Sequence, residues 1–166
     1  MISPQSIRQP AHTGSSTFSQ TEWDTRVNLA ASYRLMALFG MSDLIYNHIT
    51  ARIPGTEDLL INPYGLMYEE ITASSLVRID IDGNVLHNPN QEYGINAAGY
   101  VIHSAMHAAR HDVNCVIHTH TRAGMAISAM ECGLLPLTQT AMRFTEIAYH
   151  CLLYTSPSPR DVEESR

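Results

Sequence analysis

Hydrophobic and polar residues along this chain follow a helical period in three places. The helical segments comprise residues 23–38, 97–109 and 122–130. Ser19, Asn96 and Thr121 stand at the starts of these segments, where a short polar side chain can accept a hydrogen bond from a free backbone N–H group. Gly40 and Gly133 follow the first and third segments and favour their ends. The pattern therefore predicts three capped helices.

Short extended segments lie between these helices. Strands are predicted at residues 47–53, 59–61, 76–81, 85–87 and 113–119. The turn sequences Pro54-Gly55 and Asp82-Gly83-Asn84 suit tight connections between antiparallel strands. The fifth segment is almost continuously apolar, which is typical of a strand covered on both faces, so Cys115 is predicted to be buried. The order of elements favours a layered α/β sandwich over a helical bundle or a barrel.

Bulk composition places the chain among acidic globular proteins. Its 166 residues, with 45% hydrophobic side chains, suffice for one domain with a core. The net charge of -6 and the lack of a basic stripe argue against nucleic-acid binding. No apolar run is long enough to span a bilayer, and three cysteines at unrelated spacings fit a reducing compartment, so a cytoplasmic location is expected. The polar residues 1–18 are predicted to form a flexible arm.

The predicted fifth strand ends in the sequence His118-Thr119-His120. Side chains alternate along a strand, so the two imidazoles project to the same side and can bind one metal ion. Imidazole nitrogen suits zinc and similar divalent ions, and a catalytic zinc centre usually has three protein ligands and an open position. Hydrogen bonding of both histidines to loop carbonyls is the alternative. His103 and His107, four residues apart, are either further ligands or ordinary histidines of the helix surface or core.

Several ordered motifs give the chain a resemblance to a known family. The segment at residues 95–121, INAAGYVIHSAMHAARHDVNCVIHTHT, is similar to the signature of the class II aldolase/adducin family. Further motifs occur in the family's order at residues 47–52 (NHITAR), 61–65 (INPYG) and 133–136 (GLLP). The resemblance extends from about residue 21 to residue 150. It implies a three-layer α/β/α sandwich with a central, largely antiparallel sheet that is incomplete at the C-terminus.

The resemblance also implies a chemistry. Active members of the family are zinc enzymes that cleave, epimerise or dehydrate small phosphorylated sugars, and their metal takes up charge on the substrate carbonyl oxygen. By position, His118 and His120 match two metal ligands of the family. The substrate-phosphate loops match Asn47-His48 and Tyr64-Gly65, where backbone amides near a glycine can hold an oxyanion. Ordinary turn chemistry explains Asn47 and Gly65 equally well.

The chain departs from the active enzymes of the family at two places. Their acid/base glutamate lies nineteen residues before the first motif histidine, and here that position is Gly99. Glycine cannot transfer a proton, so the catalytic residue is left unassigned. The preceding Ala97-Ala98 stands where phosphate-binding serines are common. The family's third metal histidine lies downstream of His150 in a segment that this chain lacks, so Zn²⁺ or another divalent metal is expected to be held weakly.

These features leave two classes of function open. In the first, the parent protein is a divalent-metal-dependent aldolase, epimerase or dehydratase for small sugar phosphates or related hydroxy-carbonyl compounds, and this chain is an inactive part of it. In the second, the chain is an adducin-like interaction module with a vestigial metal site, with actin and spectrin as partners. Gly99 is typical of that branch. A metal enzyme with an acid/base from a tyrosine or a neighbouring subunit is a third possibility. The parent is expected to be a homo-oligomer.

The C-terminal segment breaks the family pattern at Cys151. Its sequence CLLYTSPSPRD resembles translated sequencing adapter joined to a truncated reading frame, and the alternative is a genuine divergent terminus. The Ser-Pro repeats lack a packing period, so a disordered tail is predicted. The predicted organisation is an arm at residues 1–18, a partial class II aldolase/adducin-like domain at residues 19–150 and a tail at residues 151–166.

Overall fold

The computed structural model describes residues 17–144 and 146–149, so the tail at residues 151–166 and the arm up to residue 16 lie outside the described residues. The chain divides into two compact units, of which the first ends at Thr119 and the second begins at His120. The helices and strands of the first unit are, in chain order, α1 (Gln20–Leu38), β1 (Ile49–Arg52), β2 (Leu59–Ile61), β3 (Val77–Ile79), β4 (Val85–His87), α2 (Ala97–Ala109) and β5 (Cys115–Ile117). The second unit contains α3 (Arg122–Ser128).

The predicted caps are present at the starts of all three helices. In each case the side-chain oxygen accepts the N–H group three residues on, at 3.2, 3.1 and 3.0 Å for Ser19, Asn96 and Thr121. Each cap satisfies one backbone donor that the first helical turn leaves free. Helix α1 ends before Gly40, whose φ of +64° is a conformation that favours glycine. These boundaries therefore follow from local sequence.

The five strands of the first unit form one sheet in the order β4-β3-β2-β1-β5. Every neighbouring pair is antiparallel, which confirms the predicted antiparallel sheet. Strands β1, β3 and β5 are shorter than the predicted extended segments. The register pairs Thr50 of β1 with Ile61 on β2 and with Val116 on β5. Strand β1 therefore lies between β2, its partner in the first hairpin, and β5, which leads to the histidine motif.

Side chains of the sheet alternate between two apolar cores. Leu60 packs with Leu29 and Tyr33 of α1 on one face, whereas Leu59 packs with Tyr100 of α2 on the other. A helix thus covers each face of the sheet. The first unit is the predicted three-layer α/β/α sandwich.

Strand β5 differs from the prediction of a strand buried on both faces. Val116 is buried, but Cys115 and Ile117 are exposed. The register pairs Val116 with Thr50, which faces α2, so its two neighbours face the opposite side of the sheet. The predicted burial of Cys115 is wrong because β5 is an edge strand within the described residues and is covered mainly on its α2 side.

A buried network of charges attaches α1 to the sheet. Glu22 and Arg26 are 3% and 0% exposed, and their side chains form an ion pair at 2.8 Å. Arg78 of β3 binds the other Glu22 oxygen at 2.9 Å and also pairs with Asp58. Arg26 donates a hydrogen bond to the carbonyl oxygen of Leu76 at 2.8 Å. Burial lowers the pKa of Arg26, and the bond to Glu22 opposes that shift. Glu22 therefore binds both cations at this junction, and Asp58 supplies a second carboxylate to Arg78.

Replacing Glu22 with glutamine should destabilise the first unit strongly. The change leaves the buried Arg26 guanidinium without a counter-charge, and breaking a buried ion pair on one side costs roughly 3 kcal/mol or more. Urea denaturation of Glu22→Gln followed by circular dichroism measures the loss. The control Glu92→Gln alters an exposed loop carboxylate and should leave the midpoint unchanged. Equal midpoints for the two variants would show that the network adds little stability.

The second unit is described as far as Tyr149, apart from residue 145. Helix α3 ends at Ser128, two residues before the predicted end. Gly133 has a φ of +60°, and the Tyr149 hydroxyl accepts the N–H group of Leu134 at 2.7 Å. The segment after Gly133, which the sequence pattern leaves unassigned, contains a short 3-10 helix at Ala141–Arg143. No helix in the described part of the chain is long and apolar enough to cross a bilayer.

Candidate functional site

Polar side chains from β1 and α2 meet on one face of the sheet. They stand at alternate positions in and just before β1 (His48, Thr50 and Arg52) and four residues apart along α2 (His103 and His107), and Gly99, which has no side chain, lies one turn before His103 on the same helix face. These spacings are the ones that place residues on one face of a strand and one face of a helix. Together with His118, which follows β5, the three histidines of this set form what we call the histidine cluster.

His118 faces His48 across the ladder between β1 and β5. The register that pairs Thr50 with Val116 and Ile49 with Ile117 continues to this pair. The His118 N–H group donates to the His48 carbonyl oxygen at 3.1 Å, and the His118 carbonyl oxygen accepts the Tyr68 hydroxyl at 3.1 Å. The two rings are also joined, with 3.0 Å between Nδ1 of His118 and Nε2 of His48. Backbone and side chain thus hold the two imidazoles together.

Gly99 leaves the space that the His48 ring occupies. A Cβ atom at position 99 would lie 2.1 Å from Nε2 of His48, far inside contact distance. Gly99 lies in the first turn of α2, which packs over this face of the sheet. A side chain at position 99 and the observed His48 ring are therefore mutually exclusive.

Thr50 joins the two histidines of α2. Its hydroxyl lies 2.9 Å from Nδ1 of His103 and 2.9 Å from Nε2 of His107, and Nδ1 of His107 lies 3.2 Å from the carbonyl oxygen of Val113. Thr50 and both rings are buried. Burial, together with smaller contributions from the neighbouring His48, His118 and His107 rings, lowers the pKa of His103 to about 3. The pKa of His107 is also lowered, mainly by burial. Both imidazoles are neutral at pH 7.

Neutral rings give this chain of hydrogen bonds one direction. The Val113 carbonyl only accepts, so Nδ1 of His107 carries the proton and its Nε2 is an acceptor. The Thr50 hydroxyl must donate its single proton to that nitrogen. It then accepts from Nδ1 of His103, which therefore carries that ring's proton. Both ring nitrogens of His107 and Nδ1 of His103 are thus hydrogen-bonded, which supports the simpler of the two sequence interpretations, that they are hydrogen-bonded core histidines.

The protonated nitrogen of each α2 histidine can be observed directly. In free histidine the proton prefers Nε2. We call the hydrogen bonds from His103 through Thr50 and His107 to the Val113 carbonyl oxygen the relay, and finding both histidines protonated at Nδ1 would identify it. Long-range ¹H–¹⁵N correlation spectra at pH 7 provide the measurement. Thr50→Ser keeps the hydroxyl and should keep both tautomers. Thr50→Val removes the hydroxyl, so Nδ1 of His103 loses its acceptor and the Nδ1–H tautomer of His103 should no longer be fixed. Nε2–H tautomers in the wild-type protein would contradict the derived direction.

Stability should fall as pH falls below the ordinary histidine value of 6.5. The pKa values of His103 and His107 are lowered by folding, so the unfolded chain binds protons in this range that the folded chain does not. The unfolding free energy should therefore decrease from pH 7 to pH 5, by at most about 1.4 kcal/mol per pH unit for each ring. Chemical denaturation at both pH values measures this. His107→Gln should reduce the change in unfolding free energy between the two pH values, whereas His111→Gln, at an exposed position, should not. Equal stability of the wild type at pH 7 and pH 5 would contradict the lowered pKa values of the two buried histidines.

The structure places the predicted metal ligands without completing a metal centre. His118 and His120 are both partly buried, and they fall in different units. Within residues 17–144 and 146–149, no group of three or more His, Cys, Asp or Glu side chains is arranged to hold a metal. Imidazole nitrogen fits zinc in kind, but a catalytic zinc usually needs a third protein donor. The assignment of these two histidines to a metal therefore stays a prediction.

The two predicted substrate loops differ in exposure. Asn47 and His48 are only 1% and 3% exposed, and the Asn47 side chain accepts a hydrogen bond from the Asp43 N–H group. Tyr64 is 40% exposed, and its N–H group donates to the Gly94 carbonyl oxygen at 2.8 Å. Gly65 has a φ of +113°, which favours glycine. Turn chemistry thus explains both loops, and their binding of substrate stays a prediction.

The hydroxyl of Tyr33 connects these loops, a role that the sequence interpretation missed. It accepts the N–H groups of Ile49 and Asn62, each at 3.0 Å, and lies 2.9 Å from the Asn62 side-chain oxygen. Tyr33 is fully buried, and burial raises the pKa of its phenol. A tyrosine on the buried stripe of a helix needs a polar partner, which is the available signal. Here the polar partners are backbone groups at the start of β1 and just after the end of β2.

Helices on both faces of an antiparallel sheet, with histidines at the end of the last strand, define a class II aldolase type of α/β domain. The sequence model of the Class II Aldolase and Adducin N-terminal domain matches residues 27–164. The chain belongs to this family. Solved relatives share the fold: an aldolase II superfamily protein from Pseudomonas syringae is 55% identical with a TM-score of 0.74, covering 76% of this chain and 51% of its own. An L-fuculose 1-phosphate aldolase from Glaciozyma antarctica is 30% identical with a TM-score of 0.71, covering 78% and 54%.

Curated relatives come from both branches of the family. A Pseudomonas aeruginosa protein named "Putative aldolase class 2 protein" is 58% identical over 133 residues, which are 80% of this chain and 51% of that protein. Alpha-adducin of Rattus norvegicus is 51% identical over 126 residues, which are 75% of this chain and 17% of that protein. The chain thus spans about half of the bacterial relative and a smaller part of the adducin.

Proposed function

We propose that this chain belongs to a divalent-metal protein, with zinc as the favoured ion, that acts on small sugar phosphates or related hydroxy-carbonyl compounds. His118 and His120 are the proposed metal ligands. Asn47-His48 and Tyr64-Gly65 are the proposed substrate loops. The protein acts in the cytoplasm as a homo-oligomer in this proposal. The observation that supports it best is that the Tyr33 hydroxyl joins the bases of both loops at the sheet end where the cluster lies.

The residues of this chain have separable roles in the proposed site. Because the Tyr64 N–H group is bound to the Gly94 carbonyl oxygen, the Gly65 N–H group is the one that would hold a phosphate oxygen in this partly exposed loop. His118 and His120 would hold the ion, which when bound supplies a positive charge next to the substrate carbonyl oxygen. Tyr68 and His48 hold His118 in place. Position 99 carries no carboxylate, so the proton-transfer group lies elsewhere.

An adducin-like interaction module is the second candidate. Gly99 and the His48 ring that fills its space support it, because a carboxylate cannot stand at position 99 while His48 keeps its place. The 51% identity to rat alpha-adducin supports it as well. In this alternative the metal site is vestigial, and actin and spectrin are the partners to test.

Metal content and turnover separate the two candidates. The purified full-length parent protein is loaded with Zn²⁺, dialysed and analysed for bound metal by mass spectrometry, beside its variant His118→Ala/His120→Ala. The wild type should retain one zinc ion, and the variant should lose affinity by more than the roughly 10- to 100-fold that follows loss of an outer partner. A variant with His111→Ala, at an exposed position, is the matched control.

Cleavage of L-fuculose 1-phosphate and other sugar phosphates is then assayed by release of the three-carbon ketone phosphate. Metal-dependent cleavage supports the enzyme. Bound zinc without turnover, together with co-sedimentation with actin or spectrin, favours the interaction module. A parent protein that retains no zinc, or retains it equally well in the double-alanine variant, contradicts the metal assignment.

A further inference from the structure

A cleft opens beside the end of β1 that lies away from His48 and His118. Its volume is about 570 Å³, and its lining residues are Arg52, residues 54–57, His111 and Asn114. Arg52 follows His48 by four positions, which is roughly 13 Å along an extended strand. None of the lining residues belongs to the proposed metal or substrate site, so the cleft is a separate feature of the first unit.

Arg52 brings a buried positive charge to this cleft. The residue is 7% exposed, and its two terminal nitrogens donate to the Glu57 carboxylate and, at 2.6 Å, to the His107 carbonyl oxygen. Its third nitrogen, Nε, is buried and has no hydrogen-bond partner among the described residues. Buried donors almost always have an acceptor, so an unpaired one points to an acceptor from outside the chain. The guanidinium thus has donor capacity that the chain itself does not use.

Glu57 is the exposed partner of this buried cation. The exposed fractions of the two side chains are 63% for Glu57 and 6% for Arg52. Glu57 belongs to the loop between β1 and β2, and its carboxylate also lies 3.6 Å from Nδ1 of His111. Water can solvate a carboxylate that leaves such a position, whereas the buried guanidinium needs another anion in its place. Arg52 can therefore exchange the Glu57 carboxylate for that of a ligand.

The other lining groups favour an anion. Within the lining, all of which the structure describes, Glu57 supplies the only carboxylate. The His111 ring, the Asn114 side-chain amide and the Gly55 backbone can each donate a hydrogen bond. Asn114 is kept beside Arg52, because its carbonyl oxygen accepts the Arg52 backbone N–H group at 2.8 Å. Charge-assisted hydrogen bonds from a guanidinium suit carboxylate and phosphate oxygens, and the cleft volume falls within the roughly 300–1,000 Å³ of small-molecule sites.

We propose that this cleft binds a small molecule with a carboxylate or phosphate group, whose oxygens take the place of Glu57 at Arg52. Glu57 is then an internal competitor that occupies the guanidinium while the ligand is absent. Arg52 also binds the C-terminal end of α2 through the His107 carbonyl oxygen, so its charge stays in place whichever anion it holds. The inference does not depend on the proposed metal function.

Anion titration of the full-length parent protein tests the site. Inorganic phosphate and propionate are added separately at constant ionic strength, and NMR spectra follow the Arg52 Nε–H signal and the Gly55 backbone amide. Both signals should shift saturably with at least one of the two anions, and the anion that binds more tightly identifies the ligand class. No shift at Arg52 with either anion would overturn the inference.

The Gly65 amide signal separates this site from the proposed substrate loop. A shift at Gly65 without one at Arg52 would support the proposed function and overturn the inference. A shift at Arg52 without one at Gly65 would support the inference and count against the proposed phosphate loop. The two proposals therefore fail independently.

Removal of the internal competitor should tighten anion binding. In Glu57→Gln the neutral amide competes poorly for Arg52, and the dissociation constant of the tighter-binding anion should fall about tenfold, because apparent affinity rises with the open fraction of a site. Glu92→Gln changes the net charge equally at an exposed position and should leave the constant unchanged. Equal dissociation constants for the wild type and Glu57→Gln would overturn the inference.

Arg52→Lys tests the anchor of the site. Lysine keeps the charge but lacks the planar fork of donors, so the dissociation constant should rise about tenfold or more. Because Arg52 is buried, circular dichroism must first show that this variant is folded. Asn114→Ala, at an exposed position, is a second variant and should weaken binding roughly fivefold through loss of one hydrogen bond. Wild-type affinity in either folded variant would overturn the inference.

Discussion

The single proton of the Thr50 hydroxyl constrains the arrangement of the whole histidine cluster. Thr50 is buried between His103 and His107, and it can donate to only one of them. Because His107 is already bound to a carbonyl oxygen, the direction of every bond in the relay follows. Buried polar groups are costly unless each one is satisfied. The relay therefore ties α2 to β1 in one register and places Gly99 against His48.

On the other face of the sheet, buried polar groups likewise tie helix α1 to the strands. Tyr33 bonds to the first residue of β1 and to the residue that follows β2, and so it sets where both adjoining loops begin. Near the start of the same helix, Glu22 and Arg26 bind groups of the sheet through charge. Polar contacts rather than apolar packing alone thus determine how this helix lies over the strands, because a buried hydroxyl or ion tolerates few alternative partners.

The site shows how proteins with one family fold can differ in function. An acid/base carboxylate at position 99 and the His48 ring compete for the same volume, and this chain has the ring. This difference removes the carboxylate that the resemblance to the active enzymes leads us to expect at position 99. The chain shares membership of the class II aldolase/adducin family with aldolases and adducins alike. That membership therefore does not by itself specify the chemistry that any one member performs.

Local sequence was enough to predict the helices with their caps at Ser19, Asn96 and Thr121, the antiparallel strands and the layered α/β class, because these depend on neighbouring residues and on hydrophobic period. It also singled out His118, whereas Gly99 was singled out only by the resemblance to the family. Only the tertiary structure decided that Cys115 is exposed and that His48, His103 and Thr50 form one network with His118. Those relations join residues more than fifty positions apart, and they depend on strand register and on helix placement, which no local pattern specifies.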